Sequence, residues 1–233
     1  MIPRLLHQTA RTKRLSWEEA VLRKRMQRHL PDWSFALWDD DDNSELMARY
    51  FPEQVGVYER IKLGVMKSDI ARLALLYAHG GFYVDTDYFM YRPIPDEIRR
   101  HPCILPVEQA SDWSERSFRI GNAALGAEAG HPFLADFVKH ACEVASRDDP
   151  EEQKSVVGVA GPYAITMYLH ANRHRYQRVY YPPRSVFFPQ RNGRGPDTIG
   201  KHLCWGSWRS KPLRAGLRTA LRRKLEGAVA LWS

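Results

Sequence analysis

Asp85 and Asp87 stand two residues apart, directly after the aromatic and β-branched run Phe82-Tyr83-Val84. At the end of a strand, residues with that spacing can turn both carboxylates the same way. Neighbouring carboxylates repel unless one takes a proton or a cation lies between them. A divalent cation is the economical reading, and all-oxygen ligands select Mg2+ or Mn2+. Upstream, Asp69 and Arg72 are three residues apart in a helical pattern and share a face. In open α/β sheets ligands bind just outside the carboxyl ends of the strands, which is where the aspartate pair falls.

The elements that must position these groups are legible from periodicity and punctuation. Ile2 to Gln8 reads as a short buried strand. Ser16, followed by Glu19, is a capping box opening a helix that runs towards Leu30-Pro31. Phe35-Ala36-Leu37-Trp38 is a second short strand, and Asp39 to Asn43 can cap the next helix. From Glu59 to His79, Ile61, Val65, Met66, Ile70, Leu73, Leu76 and Tyr77 follow helical spacing. Gly80-Gly81 supplies the positive φ that often ends a helix. Further helices are expected near His131 to Ser146 and Gly161 to His170, with an apolar segment near Ile104 to Val107 and a charged loop from Arg147 to Lys154. Strand, helix, strand, helix, strand is the rhythm of an α/β sheet.

Composition limits the possibilities further. The 233 residues are 44% hydrophobic and 27% charged, which excludes a disordered tail, a collagen-like fibre and a disulfide scaffold. No apolar run is long enough to span a bilayer. The opening residues lack a signal peptide's apolar core, and Cys103, Cys142 and Cys204 are odd in number and form no C-x-x-C pair. Both features point to a reducing, cytoplasmic setting. The net charge of +8 is unevenly placed: residues 209–233 hold seven basic residues and one acid. The expected organisation is therefore one domain, 1–208, with a basic helical tail, 209–233. In that tail Leu213, Leu217, Leu221, Leu225 and Val229 recur every four residues, so an anionic membrane surface is a candidate partner for 211–233.

Other motifs compete. An Asp-x-Asp pair after an apolar strand also opens haloacid-dehalogenase-type phosphatases, where Asp85 would attack phosphate and Asp87 would shuttle a proton. Phe89 stands where that motif wants Thr or Val. Asp39 to Asn43 does not form a calcium loop, since Ser44 and Tyr50 replace the required Gly and Glu. His170 and His174 have the spacing of zinc ligands but lack a metalloprotease glutamate. A nucleic-acid binder using the tail would leave the acidic grouping unexplained, and no nucleic-acid motif is visible. A non-catalytic glycan-binding protein that kept the fold would bind nucleotide-sugar without turnover. Nucleic acid is accordingly not expected as a partner.

Ser68-Asp69-Ile70-Ala71-Arg72 with Gly80 to Asp87 resembles the D-x-D sugar-binding region of glycosyltransferase family 32. Ile2-Pro3-Arg4-Leu5-Leu6-His7-Gln8, Pro31 to Asp40, Gly130 to Phe133, Gly161-Pro162, and His202 through Ser207-Trp208 resemble its other landmarks in order. Thr9-Ala10 depart from the pattern, which has a tryptophan after the glutamine. The resemblance implies a GT-A fold and retaining transfer of a sugar from a nucleotide-sugar, with Mn2+ or Mg2+, in surface polysaccharide or lipopolysaccharide assembly. It implies Asp87 as the direct metal ligand, Asp85 as a ligand to donor and metal, and His202 as an additional ligand. Asp69 and Arg72 would bind the sugar's hydroxyls, and His7 and Gln8 the base. Gly81 and Tyr83 would complete the donor site, with Trp208 against the diphosphate or sugar. Acceptors in this family's bacterial members are often lipid-linked glycans.

Overall fold

The computed structural model describes residues 1–109, 118–147, 156–190 and 193–205. The basic tail, Trp208 and all of the expected charged loop except Arg147 lie outside the described residues. In chain order the elements are β1 (Leu5–Thr9), α1 (Trp17–His29), β2 (Ser34–Trp38), α2 (Asp40–Tyr50), α3 (Val55–Arg60), α4 (Gly64–His79), β3 (Gly81–Val84) and β4 (Tyr88–Met90). There follow α5 (Asp96–Arg99), β5 (Cys103–Ile104), β6 (Val107–Gln109), β7 (Arg119–Ile120), β8 (Ala124–Ala127) and α6 (Pro132–Ala145). The last are α7 (Val156–Val159), α8 (Pro162–Asn172), a 3-10 turn at Arg173–Arg175, β9 (Val179–Tyr180), α9 (Arg184–Phe187) and β10 (Gly200–His202).

The central sheet has the order β2-β1-β3-β8-β5-β9. β1 runs parallel to both β2 and β3, and β5 runs parallel to β9. β8 is antiparallel to its neighbours β3 and β5. Two small antiparallel ribbons, β4 with β10 and β6 with β7, stand apart from it. This is the expected mostly parallel α/β sheet flanked by helices.

Side chains alternate between two cores, one on each face of the sheet. Phe82 and Val84 of β3 join the cluster formed with α1, β4 and α9, while Tyr83 joins the one formed with α2, α4, α6 and α8. α4 is enclosed by that second cluster, with Ile70, Leu73, Ala74, Leu75 and Leu76 fully buried.

Local chemistry explains the boundaries. Ser16 and Glu19 form the expected capping box on α1, and Asp39 and Asp42 form another on α2. Gly80 and Gly81 have φ of 65° and 100°. The expected helix from Glu59 is in fact two. α3 stops at Arg60, Ile61 is extended, and α4 starts at Gly64. A continuous apolar spacing spans that break because Tyr58 and Met66 face the same core from separate helices.

The chain leaves β1 for β2 on one side and then returns to β3 on the other. The switch in direction opens a crevice at the carboxyl ends of β1 and β3. Thr9 and Asp85 mark that edge.

Candidate active site

The site is assembled around the turn that follows β3. Asp85 Oδ1 accepts the Tyr83 hydroxyl at 2.8 Å and lies 3.3 Å from Arg72 Nη1. Its other oxygen, Oδ2, faces His202 Nε2 at 3.6 Å. Asp87 Oδ1 lies 3.0 Å from the same nitrogen, and Asp87 Oδ2 accepts the Trp205 backbone N–H at 2.8 Å. The intervening Thr86 hydroxyl donates to Glu19 at 2.7 Å, which ties the turn to the capping box of α1. Gln8 Nε2 donates to the Asp85 carbonyl at 3.3 Å.

One ligand atom each from Asp85, Asp87 and His202 lies within 4.8 Å of the other two, and this is the one such group among the described residues. The 3.0 and 3.6 Å separations suit a shared cation. Two ligands at right angles, each roughly 2.1 Å from the ion, lie roughly 3 Å apart. Two carboxylates with an imidazole suit Mn2+, and the carboxylates alone suit Mg2+. The residues therefore fit a divalent ion. In its absence a proton takes the same place. Burial lowers the His202 pKa, but hydrogen bonds to Asp87 and Cys204 and the charges of Asp85 and Asp87 push it up to about 11. Burial raises the Asp87 carboxyl, and the His202 and Trp205 hydrogen bonds more than reverse this, leaving it below the usual range.

Arg72 is the structural pivot. Nε donates to Ser68 O, Nη1 donates to Asn122 O at 2.7 Å and pairs with Asp85, and Nη2 reaches Asp69 at 2.9 Å and Ser68 Oγ. Its cation also lies over the Tyr83 ring, 4.7 Å from the centroid. A guanidinium has five N–H donors, and these contacts use all of them. Asp69 accepts from Asn122 Nδ2 at 2.9 Å, and burial raises its carboxyl to about 6 against the pull of Arg72.

Several expected roles change with this geometry. Arg72, 4% exposed, has no N–H left for a sugar hydroxyl and instead holds Asp85. His7 is fully buried, with Nε2 bonded to Gly80 O at 2.8 Å and Nδ1 to the Trp38 indole N–H at 3.0 Å, so neither nitrogen can meet a base. Gln8 is buried too, with Oε1 accepting from Arg23. Gly81 is at the opposite end of β3 from Asp85. A Cβ there would come 2.4 Å from Leu5 O, so it is glycine for backbone approach rather than for a donor. Tyr83 is buried and orients Asp85 through its hydroxyl, which also meets Thr9 Oγ1 at 2.9 Å. Burial pushes its phenol up, which keeps that proton in place.

Sequence reasoning missed Asn122, Thr9 and the Trp205 backbone, and it read Glu19 as a helix cap without its bond to Thr86. It also missed Glu108 on β6. Burial raises that carboxyl, against the charges of His202, Arg119 and Arg184 and with that of Asp85.

Comparison with known proteins agrees with this geometry. Residues 17–105 match the family model for the glycosyltransferase sugar-binding region containing the DXD motif. Inositol phosphoceramide mannosyltransferase 3 of Schizosaccharomyces pombe is 28% identical over 141 residues, 60% of this chain and 37% of its own length. Inositol phosphoceramide mannosyltransferase 1 of the same yeast is 26% identical over 212 residues, 89% of this chain and 62% of that protein. The chain thus spans under two thirds of both relatives. Among solved structures, PaToxG glycosyltransferase superposes with a TM-score of 0.54 at 17% identity, covering 73% of this chain and 70% of that one. Sheet, switch-point crevice and aspartate pair define a GT-A fold. Within that class, the chain is similar to glycosyltransferase family 32 through its DXD sugar-binding region, residues 17–105.

Proposed function

We propose that this chain is a metal-dependent, retaining glycosyltransferase that moves a hexose from a UDP- or GDP-linked donor to a hydroxyl of a glycan or lipid-linked acceptor. The observation that carries this reading is the convergence of Asp85, Asp87 and His202 at the carboxyl edge of β1 and β3. A divalent cation held there supplies Lewis-acid neutralisation of the charge that grows on a departing diphosphate, with no proton needed. The chain's own groups are arranged beforehand for that task. Tyr83 and Arg72 hold one oxygen of Asp85 and leave the other facing the cation site. The Trp205 N–H does the same for Asp87.

The relatives named above act as mannosyltransferases on an inositol phosphoceramide, which favours mannose as the sugar and a phosphate-bearing lipid as the acceptor. Surface polysaccharide or lipopolysaccharide assembly is the other setting consistent with the family. On this reading the protein works in the cytoplasm, with residues 211–233 against an anionic membrane face.

The test is nucleotide release from a panel of UDP- and GDP-sugars with Mn2+, with Mg2+ and with chelator. Slow, metal-dependent hydrolysis of one donor, abolished in a folded Asp87→Asn variant, is the expected result. Turnover by that variant near the wild-type rate would refute the metal site. Silence across the panel, with no thermal stabilisation by any nucleotide plus Mn2+, would refute the enzyme reading.

A further inference from the structure

His202 has two ring nitrogens, and the cation site accounts for one of them. Nε2 faces Asp87 and Asp85, while Nδ1 lies 3.4 Å from the thiol of Cys204. That thiol is also 3.8 Å from the His202 carbonyl. The chain reaches this position by an uncommon path. Cys204 has φ of 54°, in the left-handed region, where few non-glycine residues occur. Its neighbours hold it there: the Leu203 N–H donates to Asp87 O at 3.0 Å and the Trp205 N–H to Asp87 Oδ2 at 2.8 Å. The segment therefore wraps Asp87 from both sides and turns the Cys204 side chain back onto the imidazole.

We propose that Cys204 is a positioning residue for the cation site, accepting the Nδ1–H of His202 so that Nε2 is presented to the ion. The proposal rests on the metal reading above. A metal-binding imidazole is neutral and carries its remaining proton on the far nitrogen. The partner of that N–H sets tautomer and ring orientation and is typically worth 10–100-fold in metal affinity. In most such sites a carboxylate or carbonyl fills this place; here the acceptor is a thiol.

The thiol is also exposed, whereas Cys103 and Cys142 are buried. A thiol reagent added to the folded protein thus reaches Cys204 selectively. With iodoacetamide the sulfur lone pair forms an S–C bond, iodide leaves with the C–I electrons, and the thiol proton passes to solvent. The thioether so formed sits against Nδ1 and displaces the ring.

Mn2+ binding to the full chain, followed by electron paramagnetic resonance, tests this with wild type, Cys204→Ala and Cys204→Ser. All three side chains meet the same left-handed backbone cost, so Ala against Ser isolates the accepting atom. Cys204→Ala should weaken Mn2+ binding by about tenfold or more, and Cys204→Ser should recover to within about threefold of wild type. Alkylation should weaken the wild type equally and leave Cys204→Ser unchanged. Wild-type affinity in Cys204→Ala, or in the alkylated protein, overturns the proposal. Nitrogen NMR of the His202 ring in metal-free protein separates the two readings. If wild type fails to bind Mn2+ but Cys204→Ala shifts the Nδ1 resonance, the metal reading fails and the hydrogen bond stands. An unmoved Nδ1 resonance refutes the contact itself.

Discussion

Replacing Arg72 by Gln should destabilise the protein heavily, and by an amount that depends on pH. The guanidinium is buried between Asp69 at 2.9 Å and Asp85 at 3.3 Å, and it also caps Asn122 O. Breaking a buried ion pair from one side costs about 3–5 kcal/mol, because the remaining charge stays uncompensated. Asp69 carries most of that penalty, since Asp85 is partly open to solvent. The sign follows from linkage. Burial already holds Asp69 up at about 6, and removing Arg72 removes the main influence pulling it down. A raised carboxyl costs nothing while both states are protonated, and the cost grows as pH climbs from the unfolded value through the folded one. The loss should therefore be about 3–5 kcal/mol near pH 8 and clearly smaller near pH 5. Urea unfolding at the two pH values measures it. Adding Asp69→Asn to Arg72→Gln should recover a large part of the loss, because the stranded charge disappears with its partner. A loss under about 1 kcal/mol, equal at both pH values, would refute the account of Arg72 as the buried pivot.

Further expectations concern the strands behind the site. His7 is lowered to about 4, chiefly by burial, against the Gly80 carbonyl and with His79 adding to the fall. Its neutral form contributes stability that is complete above the unfolded value of 6.5 and is lost as pH falls through that value towards 4, about 3 kcal/mol in all. Urea unfolding of wild type and His7→Gln between those limits should show the difference narrowing as pH drops. Gly81→Ala combines φ of 100° with a Cβ placed 2.4 Å from Leu5 O. It should cost about 3 kcal/mol or more, read as a lowered melting temperature. Mn2+ binding must expel the His202 proton, so its affinity should rise about tenfold per pH unit between about pH 6 and pH 9, which calorimetry would show. Deleting 211–233 should abolish sedimentation with anionic vesicles and leave donor hydrolysis unchanged.

Local features were readable in advance. Ser16 with Glu19, Asp39 at the head of α2 and Gly80-Gly81 are each determined by a few consecutive residues, and the structure uses each as a cap or turn. The aspartate pair was readable because a strand must end before it. What pairing across the chain decides was not readable. His202 reaches Asp87 only because β10 pairs with β4; no spacing between residues 87 and 202 announces that, and His202 was implied by the family resemblance alone. Arg72 and His7 show the same gap. The family resemblance implied ligand contact for both, but burial and saturated hydrogen bonding make them supports.

The β10–β4 pairing also sets an order in time. Protein synthesis delivers Asp85 and Asp87 long before Gly200 to Trp205. Until β10 and the residues just after it emerge, the aspartates lack both the His202 imidazole and the Trp205 N–H. A nascent chain would thus hold its acidic pair through Arg72, Tyr83, Gln8 and the Thr86–Glu19 bond, without the groups that face Asp87. The three-residue cation site is complete only once β10 has paired with β4, so a chain that has not yet reached His202 carries the aspartates without their imidazole.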